Sequence, residues 1–200
     1  MTDLRIAPWR TTGSRLVHAH RPLSLFEDQV LDAAGALRVR HRLVEPESTR
    51  VVAVDSDGLL ALVWHWRYPL GYPGIELPSA ALHPGEDPPA AAQRALRDGC
   101  GLAAREWTRV GTTTVATEVA AQTVHLYRAD SLHRTPRPVG DGQRLAFTMP
   151  YRTAVGSVVA GAVGDAGSIA GLLLAEQLRL AGEWEPPEAR PPRPPWLHRV

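Results

Sequence analysis

The sequence predicts an α/β fold, in which helices cover a central sheet. Residues 51–54 and 59–64 are apolar and partly β-branched, which is typical of central strands. Residues 55–58, Asp-Ser-Asp-Gly, lie between these runs and predict a hairpin turn. An alanine-rich stretch that begins at residue 90 and an amphipathic stretch over 165–180 predict the two principal helices.

An antiparallel β-meander is predicted before this α/β region. Residues 14–45 alternate in places between apolar and polar side chains, and Asp32-Ala33-Ala34-Gly35 is a turn sequence within them. The chain therefore divides into an N-terminal meander at 1–47, an α/β domain at 48–182 and a Pro-rich tail at 183–200. The tail, rich in Pro-Pro pairs, is expected to be extended or disordered.

The remaining strands and one short helix are read from shorter patterns. Residues 107–110, 112–115 and 123–127 are β-prone, and a loop at 116–121 separates the last two. Residues 154–162 predict a short helix with Gly161 near its end.

Composition excludes several classes of function. The chain has 200 residues and a net charge of +1, and its arginines alternate with acidic residues, so no nucleic-acid surface is expected. Cys100 is the only cysteine, which excludes an intramolecular disulfide and favours a reducing compartment. The first residues lack an apolar leader, and the apolar run near 169–175 is too short to cross a bilayer. We therefore expect a cytoplasmic protein without nucleic-acid or membrane partners.

One stretch, residues 74–102, has the layout of a site for chemistry. It reads as the end of a strand, an acidic Pro/Gly loop, a helix and a glycine stop. Helical spacing places Ala91, Ala95, Asp98 and Gly99 on neighbouring positions of one face. A hydrolase of diphosphates needs several carboxylates on such a face, because Mg²⁺ takes oxygen ligands and offsets phosphate charge. This face of the predicted helix has one carboxylate, that of Asp98.

The same stretch resembles the signature box of the Nudix hydrolases, G-x5-E-x7-R-E-U-x-E-E-x-G-U, where U is a bulky apolar residue. The positions that keep the pattern are those that shape the fold: Glu86, Arg94, Leu96, Gly101 and Leu102. The positions that depart from it are Ala80, at the first glycine, and Ala95, Asp98 and Gly99, at the three helix glutamates.

The resemblance extends over roughly residues 14–180. Trp66-Arg67-Tyr68-Pro69 followed by Glu76-Leu77-Pro78 looks like the approach to the box in ADP-ribose pyrophosphatases, and residues 164–175 resemble their closing helix. The resemblance implies an α/β/α Nudix sandwich with a mixed sheet, added to the N-terminal β-meander. It also implies a homodimer to which the meander contributes.

The changed box bears directly on catalysis. The family binds Mg²⁺ or Mn²⁺ largely through the helix glutamates, and only Asp98 remains acidic, as a weak metal ligand at best. The family's later loop usually adds an acidic residue, for which Glu118 is the nearby candidate, while Gln122 holds the usual position. Glu86 and Arg94 are interpreted as a charge pair that holds the loop against the helix.

Three hypotheses follow. The first is a divergent protein related to ADP-ribose and nucleoside diphosphate sugar pyrophosphatases, with hydrolysis lost or strongly impaired. It retains a nucleotide-sized pocket, with Arg67 on a phosphate and Glu76 at the pocket edge. The second is an active hydrolase with a relocated metal site built from Glu76, Asp98 and Glu118. The third is a non-catalytic dimeric interaction scaffold whose tail contacts a partner.

Overall fold

The computed structural model describes residues 9–120, 122–136 and 142–189. Ten strands and three helices follow one another in these residues: β1 Arg10–His20, β2 Leu23–Leu31, β3 Leu37–Val44, β4 Ser48–Ala53, β5 Leu59–Arg67, β6 Tyr72–Glu76, β7 Ser79–Ala81, α1 Pro88–Cys100, β8 Leu102–Val115, β9 Gln122–Arg134, β10 Arg144–Pro150, α2 Tyr151–Val159 and α3 Ala166–Leu180. The chain divides into two compact units, Met1–Glu47 with Thr114–Thr123, and Ser48–Thr113 with Val124–Val200.

The first unit contains the predicted antiparallel meander. Strands β1, β2 and β3 pair in that order, and Leu37 and Val39 stand opposite Leu31 and Gln29. Asp32 fixes the predicted turn, since its carboxylate accepts hydrogen bonds from the Ala34 and Ala36 amides. The unit also includes residues 114–123, because Leu43 donates its backbone N–H to Val119.

The second unit contains two sheets. One has the order β10-β5-β6 and is antiparallel; the other has the order β7-β4-β9-β8. The second sheet is mixed, because β4 pairs parallel with β9 and antiparallel with β7. The predicted mixed-sheet α/β class is therefore confirmed.

Helices cover both faces of these strands. On one face Val52 and Leu62 share a buried cluster with Leu172 of α3 and Tyr151 of α2. On the other face the intervening residues of β4 and β5 pack with α1 in a second cluster: Val51, Ala53 and Ala61 with Ala92, Ala95 and Leu96. Because successive side chains of a strand point to opposite faces, both apolar runs are buried on two sides.

The predicted hairpin between β4 and β5 is wrong in one respect. The turn forms, with Gly58 donating to the Asp55 carbonyl and Asp55 accepting from the Asp57 and Leu59 amides. The strands, however, lie in different sheets and meet at one bridge, Val54 to Leu60. Each strand already has a partner on both edges, so no edge is left for a hairpin ladder.

The other element boundaries differ by modest amounts. The two patterns at 107–110 and 112–115 form one strand, β8, and β10 has no predicted counterpart. Helix α2 begins three residues before the predicted start at 154. Helix α3 matches its prediction closely, and Asp165 caps it by accepting from the Ser168 amide. Among the described residues no helix is both long and apolar enough to cross a membrane.

The predicted Pro-rich tail begins as a packed segment. Residues 183–189 have no regular secondary structure, yet Trp184 is buried edge-on against Tyr151, with ring centroids 5.1 Å apart. The Arg128 guanidinium lies 5.2 Å from the Trp184 ring centroid. Residues 190–200 of the predicted tail lie outside the described residues.

Candidate functional site

Helix α1 is built by its two ends. Pro88 and Pro89 supply a first turn that needs no backbone donors, and the helix ends at Cys100. Gly101 then adopts a left-handed conformation, with φ of 66°, and its N–H closes on the Arg97 carbonyl. The predicted glycine stop is therefore Gly101, and Gly99 lies inside the last turn.

The predicted pair between Glu86 and Arg94 is present. Arg94 donates from Nε to one oxygen of Glu86 at 2.9 Å and from Nη2 to the other at 2.6 Å. Glu86 also accepts from the His83 amide, and Arg94 donates to the Ala81 carbonyl. The hydrogen bond from Arg94, followed by that from His83, lowers the pKa of Glu86 to about 2. Both carboxylate oxygens are thus occupied in holding the loop against α1.

The face of α1 that turns towards the sheet carries small apolar groups. Ala95 is 2% exposed and belongs to the apolar cluster with Val51 and Ala61. Gly99 is also buried, and a Cβ there would lie 3.7 Å from Pro78. Asp98 is partly exposed and pairs with the neighbouring Arg97 at 2.8 Å. The two positions where carboxylates are absent are therefore core positions of the α1 contact.

A second ion pair joins strands β5 and β6. Arg67 donates from Nε and Nη2 to the two oxygens of Glu76, at 2.7 and 2.6 Å. His65 lies 3.5 Å from Glu76, whose side chain is 5% exposed. Burial raises the pKa of Glu76, but hydrogen bonds from His65 and Arg67 outweigh it, so the net pKa is lowered. The hydrogen bond to Glu76 raises the pKa of Arg67 in turn.

Arg67 and Glu76 line a cavity of about 370 Å³. Its other walls are the β5–β6 turn, with Leu70 and Tyr72, and the segment 161–166 that leads into α3. The wall of the cavity therefore contains both residues that are predicted as ligand contacts, and these two residues pair with each other, which the sequence did not predict.

A third network of hydrogen bonds surrounds Asp165, which also lines the cavity. The sequence did not predict it. Asp165 accepts two hydrogen bonds from Arg50, at 2.8 and 3.1 Å, and one from the Ser168 hydroxyl at 2.7 Å. The Ser168 hydroxyl also accepts from the Leu77 amide. Burial raises the pKa of Asp165, but the combined effect of Arg50 and Ser168 is larger. The net pKa of Asp165 is therefore well below its usual range. The Asp-x-x-Ser spacing of Asp165 and Ser168 is typical of a helix N-cap and could have predicted the hydrogen bond between these two residues.

Comparison with known proteins gives relatives with two kinds of name, of which two are ADP-ribose pyrophosphatases. No family model matches the chain. It is 28% identical over 169 residues to an ADP-ribose pyrophosphatase of Mycobacterium tuberculosis, covering 82% of each chain. It is 25% identical over 123 residues to the ADP-ribose pyrophosphatase of Bacillus subtilis, covering 62% of this chain and 66% of the relative. The crystal structure of an ADP compounds hydrolase superposes with a TM-score of 0.78 at 17% identity, covering 90% of this chain and 99% of the other.

The chain has a Nudix fold of the ADP-ribose pyrophosphatase-like type. The recognition made from the degenerate box is confirmed. A third relative, 24% identical over 131 residues, is a methanol dehydrogenase activator of Bacillus methanolicus, and the match covers 66% of this chain and 71% of the relative.

The Nudix fold implies a divalent metal, and the residues present do not fit one on α1. Position 98 alone is acidic among the three helix positions, and Glu86 is committed to Arg94. Glu118 lies on an exposed turn of the first unit. Over the described residues, no group of three or more His, Cys, Asp or Glu could hold a metal ion.

Proposed function

We propose that this Nudix protein binds a nucleotide-type small molecule and has lost, or retains only weakly, metal-dependent diphosphate hydrolysis. The observation that carries the proposal is the burial of Ala95 and Gly99 in the contact between α1 and the sheet. Neither Ala95 nor Gly99 has a carboxylate that could bind a metal. A carboxylate introduced at either buried position would have to lose its hydration, which is unfavourable. Metal assistance supplies several kcal/mol to such reactions, and each ~1.4 kcal/mol is tenfold in rate.

The cavity around Arg67 supports the binding half of the proposal. Its volume, about 370 Å³, falls in the lower part of the range of small-molecule sites. Glu76 engages only Nε and Nη2 of Arg67, and a guanidinium has five N–H donors in all. The pair with Glu76 keeps Arg67 fixed in the cavity wall. The remaining N–H groups of Arg67 can therefore donate hydrogen bonds to a ligand phosphate.

Calorimetric titration with ADP-ribose, with and without Mg²⁺, tests the binding. We expect binding of similar strength in both conditions, since the described residues offer no group of three or more His, Cys, Asp or Glu that could hold the metal. Arg67→Gln is expected to weaken it, and Arg105→Gln, an exposed arginine of β8 outside the cavity lining, is the control. Absence of heat with ADP-ribose and related nucleotides would remove the ligand half of the proposal.

Turnover assays over a panel of nucleoside diphosphate derivatives test the catalytic half. We expect rates orders of magnitude below those of an intact Nudix site. Rapid hydrolysis abolished by Asp98→Asn or Glu118→Gln would instead support the relocated site of Glu76, Asp98 and Glu118. If the protein shows neither nucleotide binding nor turnover, the result would favour the dimeric scaffold.

We also propose that the protein acts as a cytoplasmic homodimer. The meander exposes large apolar side chains on its strands, including Leu37 at 61% and Val39 at 53%. A monomeric soluble protein rarely leaves such neighbouring groups uncovered.

A further inference from the structure

A buried histidine, His65, lies beside the pair of Arg67 and Glu76. It is 7% exposed and stands two residues before Arg67 in β5, so both side chains leave the same face of the strand. Its ladder partners are Arg144 on β10 and Gly74 on β6. A Cβ at Gly74 would lie 3.9 Å from Oε1 of Glu76, so the carboxylate lies next to the place of the missing side chain. The imidazole and the ion pair thus share one face of this sheet.

The two ring nitrogens of His65 have different partners. Arg144 donates from Nε to Nε2 of the imidazole at 3.4 Å. A ring nitrogen that accepts a hydrogen bond carries no proton, so the proton of the neutral imidazole is on Nδ1. Nδ1 lies 3.5 Å from Oε2 of Glu76. Burial raises the pKa of Glu76, and the hydrogen bond from His65 acts against burial and lowers it. His65 therefore accepts from one residue and donates to the glutamate.

The orientation of the Glu76 carboxylate decides where Arg67 is held. Oε1 accepts from Nε of Arg67 at 2.7 Å, and Oε2 accepts from Nη2 at 2.6 Å. Both contacts form only when the plane of the carboxylate matches the fork of the guanidinium. Asp165, which also lines the cavity, repels the carboxylate, whereas Nδ1 of His65 attracts it. His65 is thus a second donor that acts on the same oxygen as Nη2.

We propose that His65 is a positioning residue for ligand binding at Arg67. Its Nδ1–H holds the plane of the Glu76 carboxylate, and the carboxylate holds the guanidinium in the cavity wall. An arginine that is already held loses less side-chain freedom when a ligand phosphate binds, so the gain is preorganisation. This inference rests on the proposed binding of a nucleotide-type molecule in the cavity around Arg67.

Exchange of the Arg67 Nε–H with water reports this positioning without any ligand. In protein with isotope-labelled arginine, its NMR signal is the one that disappears in Arg67→Gln. His65→Leu removes the donor to Glu76 and should raise the exchange rate about tenfold, because the hydrogen bond opens more often. His65→Asn places an amide nitrogen where Nδ1 was and should keep the rate within about twofold. His133→Leu is the control, since this exposed histidine of β9 lies outside the cavity lining.

A further variant keeps the test usable if His65→Leu does not fold. His65→Gln keeps a polar group in the buried position, and its amide reaches the place of Nε2 instead of that of Nδ1. It should therefore raise the exchange rate of the Arg67 Nε–H as His65→Leu does. An unchanged rate in a folded His65→Leu or His65→Gln variant would overturn the proposal.

Calorimetry with ADP-ribose tests the consequence for binding. His65→Leu should weaken binding about fivefold, and His65→Asn should bind within about twofold of the native protein. In the Arg67→Gln background, His65→Leu should leave the affinity unchanged, since no guanidinium remains to be positioned. Equal weakening in both backgrounds would show a general structural effect of His65 and would overturn the proposal. If the native protein gives no heat with ADP-ribose, the proposed function fails by itself, and the exchange rates still decide whether His65 positions Arg67.

Discussion

Arg67 at the end of β5 reaches across to Glu76 on β6 and holds both of its carboxylate oxygens, at 2.7 and 2.6 Å. Both groups line the cavity, and the arginine side chain is 35% exposed whereas the glutamate is 5% exposed, so the guanidinium is the more accessible of the two. The arrangement fixes a cation in the wall of the cavity without leaving a buried charge unpaired.

Removing Arg67 should therefore cost more stability than removing the pair. Arg67→Gln leaves the buried Glu76 beside His65 and Asp165 without the guanidinium, and we expect a loss on the order of 2 kcal/mol, reduced from the fully buried case by the exposure of the arginine. Urea unfolding of Arg67→Gln, Glu76→Gln and the double variant measures the coupling. The double variant should lose less than Arg67→Gln alone, and therefore less than the sum of the two singles. Additive losses would mean that the two groups act independently.

The two glycines at the end of α1 should respond oppositely to alanine. Gly99 lies in the helix, and an added Cβ would make ordinary contact with Pro78 and Val63 at 3.7 and 3.8 Å. Gly99→Ala should stabilise the protein by roughly 0.5–1 kcal/mol. Gly101 has φ of 66°, so Gly101→Ala should destabilise it by about 1 kcal/mol. Denaturant midpoints of the two variants check the sign of each change, and a loss in Gly99→Ala would contradict the packing argument.

Much of the fold was readable because local signals and burial agree. The unbroken apolar runs of β4 and β5 predict strands covered on both sides, and they are covered by α1 on one side and by α2 and α3 on the other. Asp165 and the pattern after it place the start of α3 within one residue. The distribution of β4 and β5 over two sheets was not readable, since the same Asp-Ser-Asp-Gly turn suits a hairpin and a crossing.

The sequence predicts several residues of the site, but it predicts fewer of the pairs that these residues form. Glu86 and Arg94 are eight residues apart on a loop and the helix that follows it, so their pairing follows from local geometry. Arg50 and Asp165 are separated by 115 residues, and no local pattern connects them. Trp184 sits in a Pro-rich segment whose composition predicts exposure, whereas the packing on Tyr151 depends on a groove that only the folded chain provides.

The Glu86–Arg94 pair predicts a specific acid dependence. The pKa of Glu86 is lowered to about 2 in the folded protein, against about 4.3 for an unperturbed glutamate. The pair therefore stabilises the fold fully above the unfolded value, and the contribution is lost as the pH falls from about 4.3 towards 2. Free energies of unfolding for the native protein and Glu86→Gln should differ by a constant amount above about pH 5.5 and converge below it. A difference that persists unchanged at pH 2.5 would show that the carboxylate charge is not its source.

The exposed meander face predicts a dimer that one charge can weaken. Leu37 is 61% exposed in β3, and covering such a side chain contributes about 1.5–3 kcal/mol. Leu37→Asp should therefore raise the dissociation constant of the dimer at least about tenfold. Leu180, at the end of α3, is 63% exposed and serves as the matched control, since Leu180→Asp should leave the constant unchanged. Analytical ultracentrifugation over a dilution series measures both, and equal shifts in the two variants would count against the meander as the interface.

Restoring a family glutamate at position 95 should damage the fold rather than recreate a metal site. Ala95 is 2% exposed and packs in the cluster that includes Val51, Ala53 and Ala61, so Ala95→Glu places a carboxylate among apolar groups. We expect a loss on the order of 3 kcal/mol, with no rise in thermal midpoint on addition of Mn²⁺. Gln93→Glu, on the exposed face of the same helix, should change stability by less than about 0.5 kcal/mol. A stable Ala95→Glu variant whose midpoint rises with Mn²⁺ would mean that position 95 still opens onto a usable metal site, and the loss of hydrolysis would then depend on side chains alone.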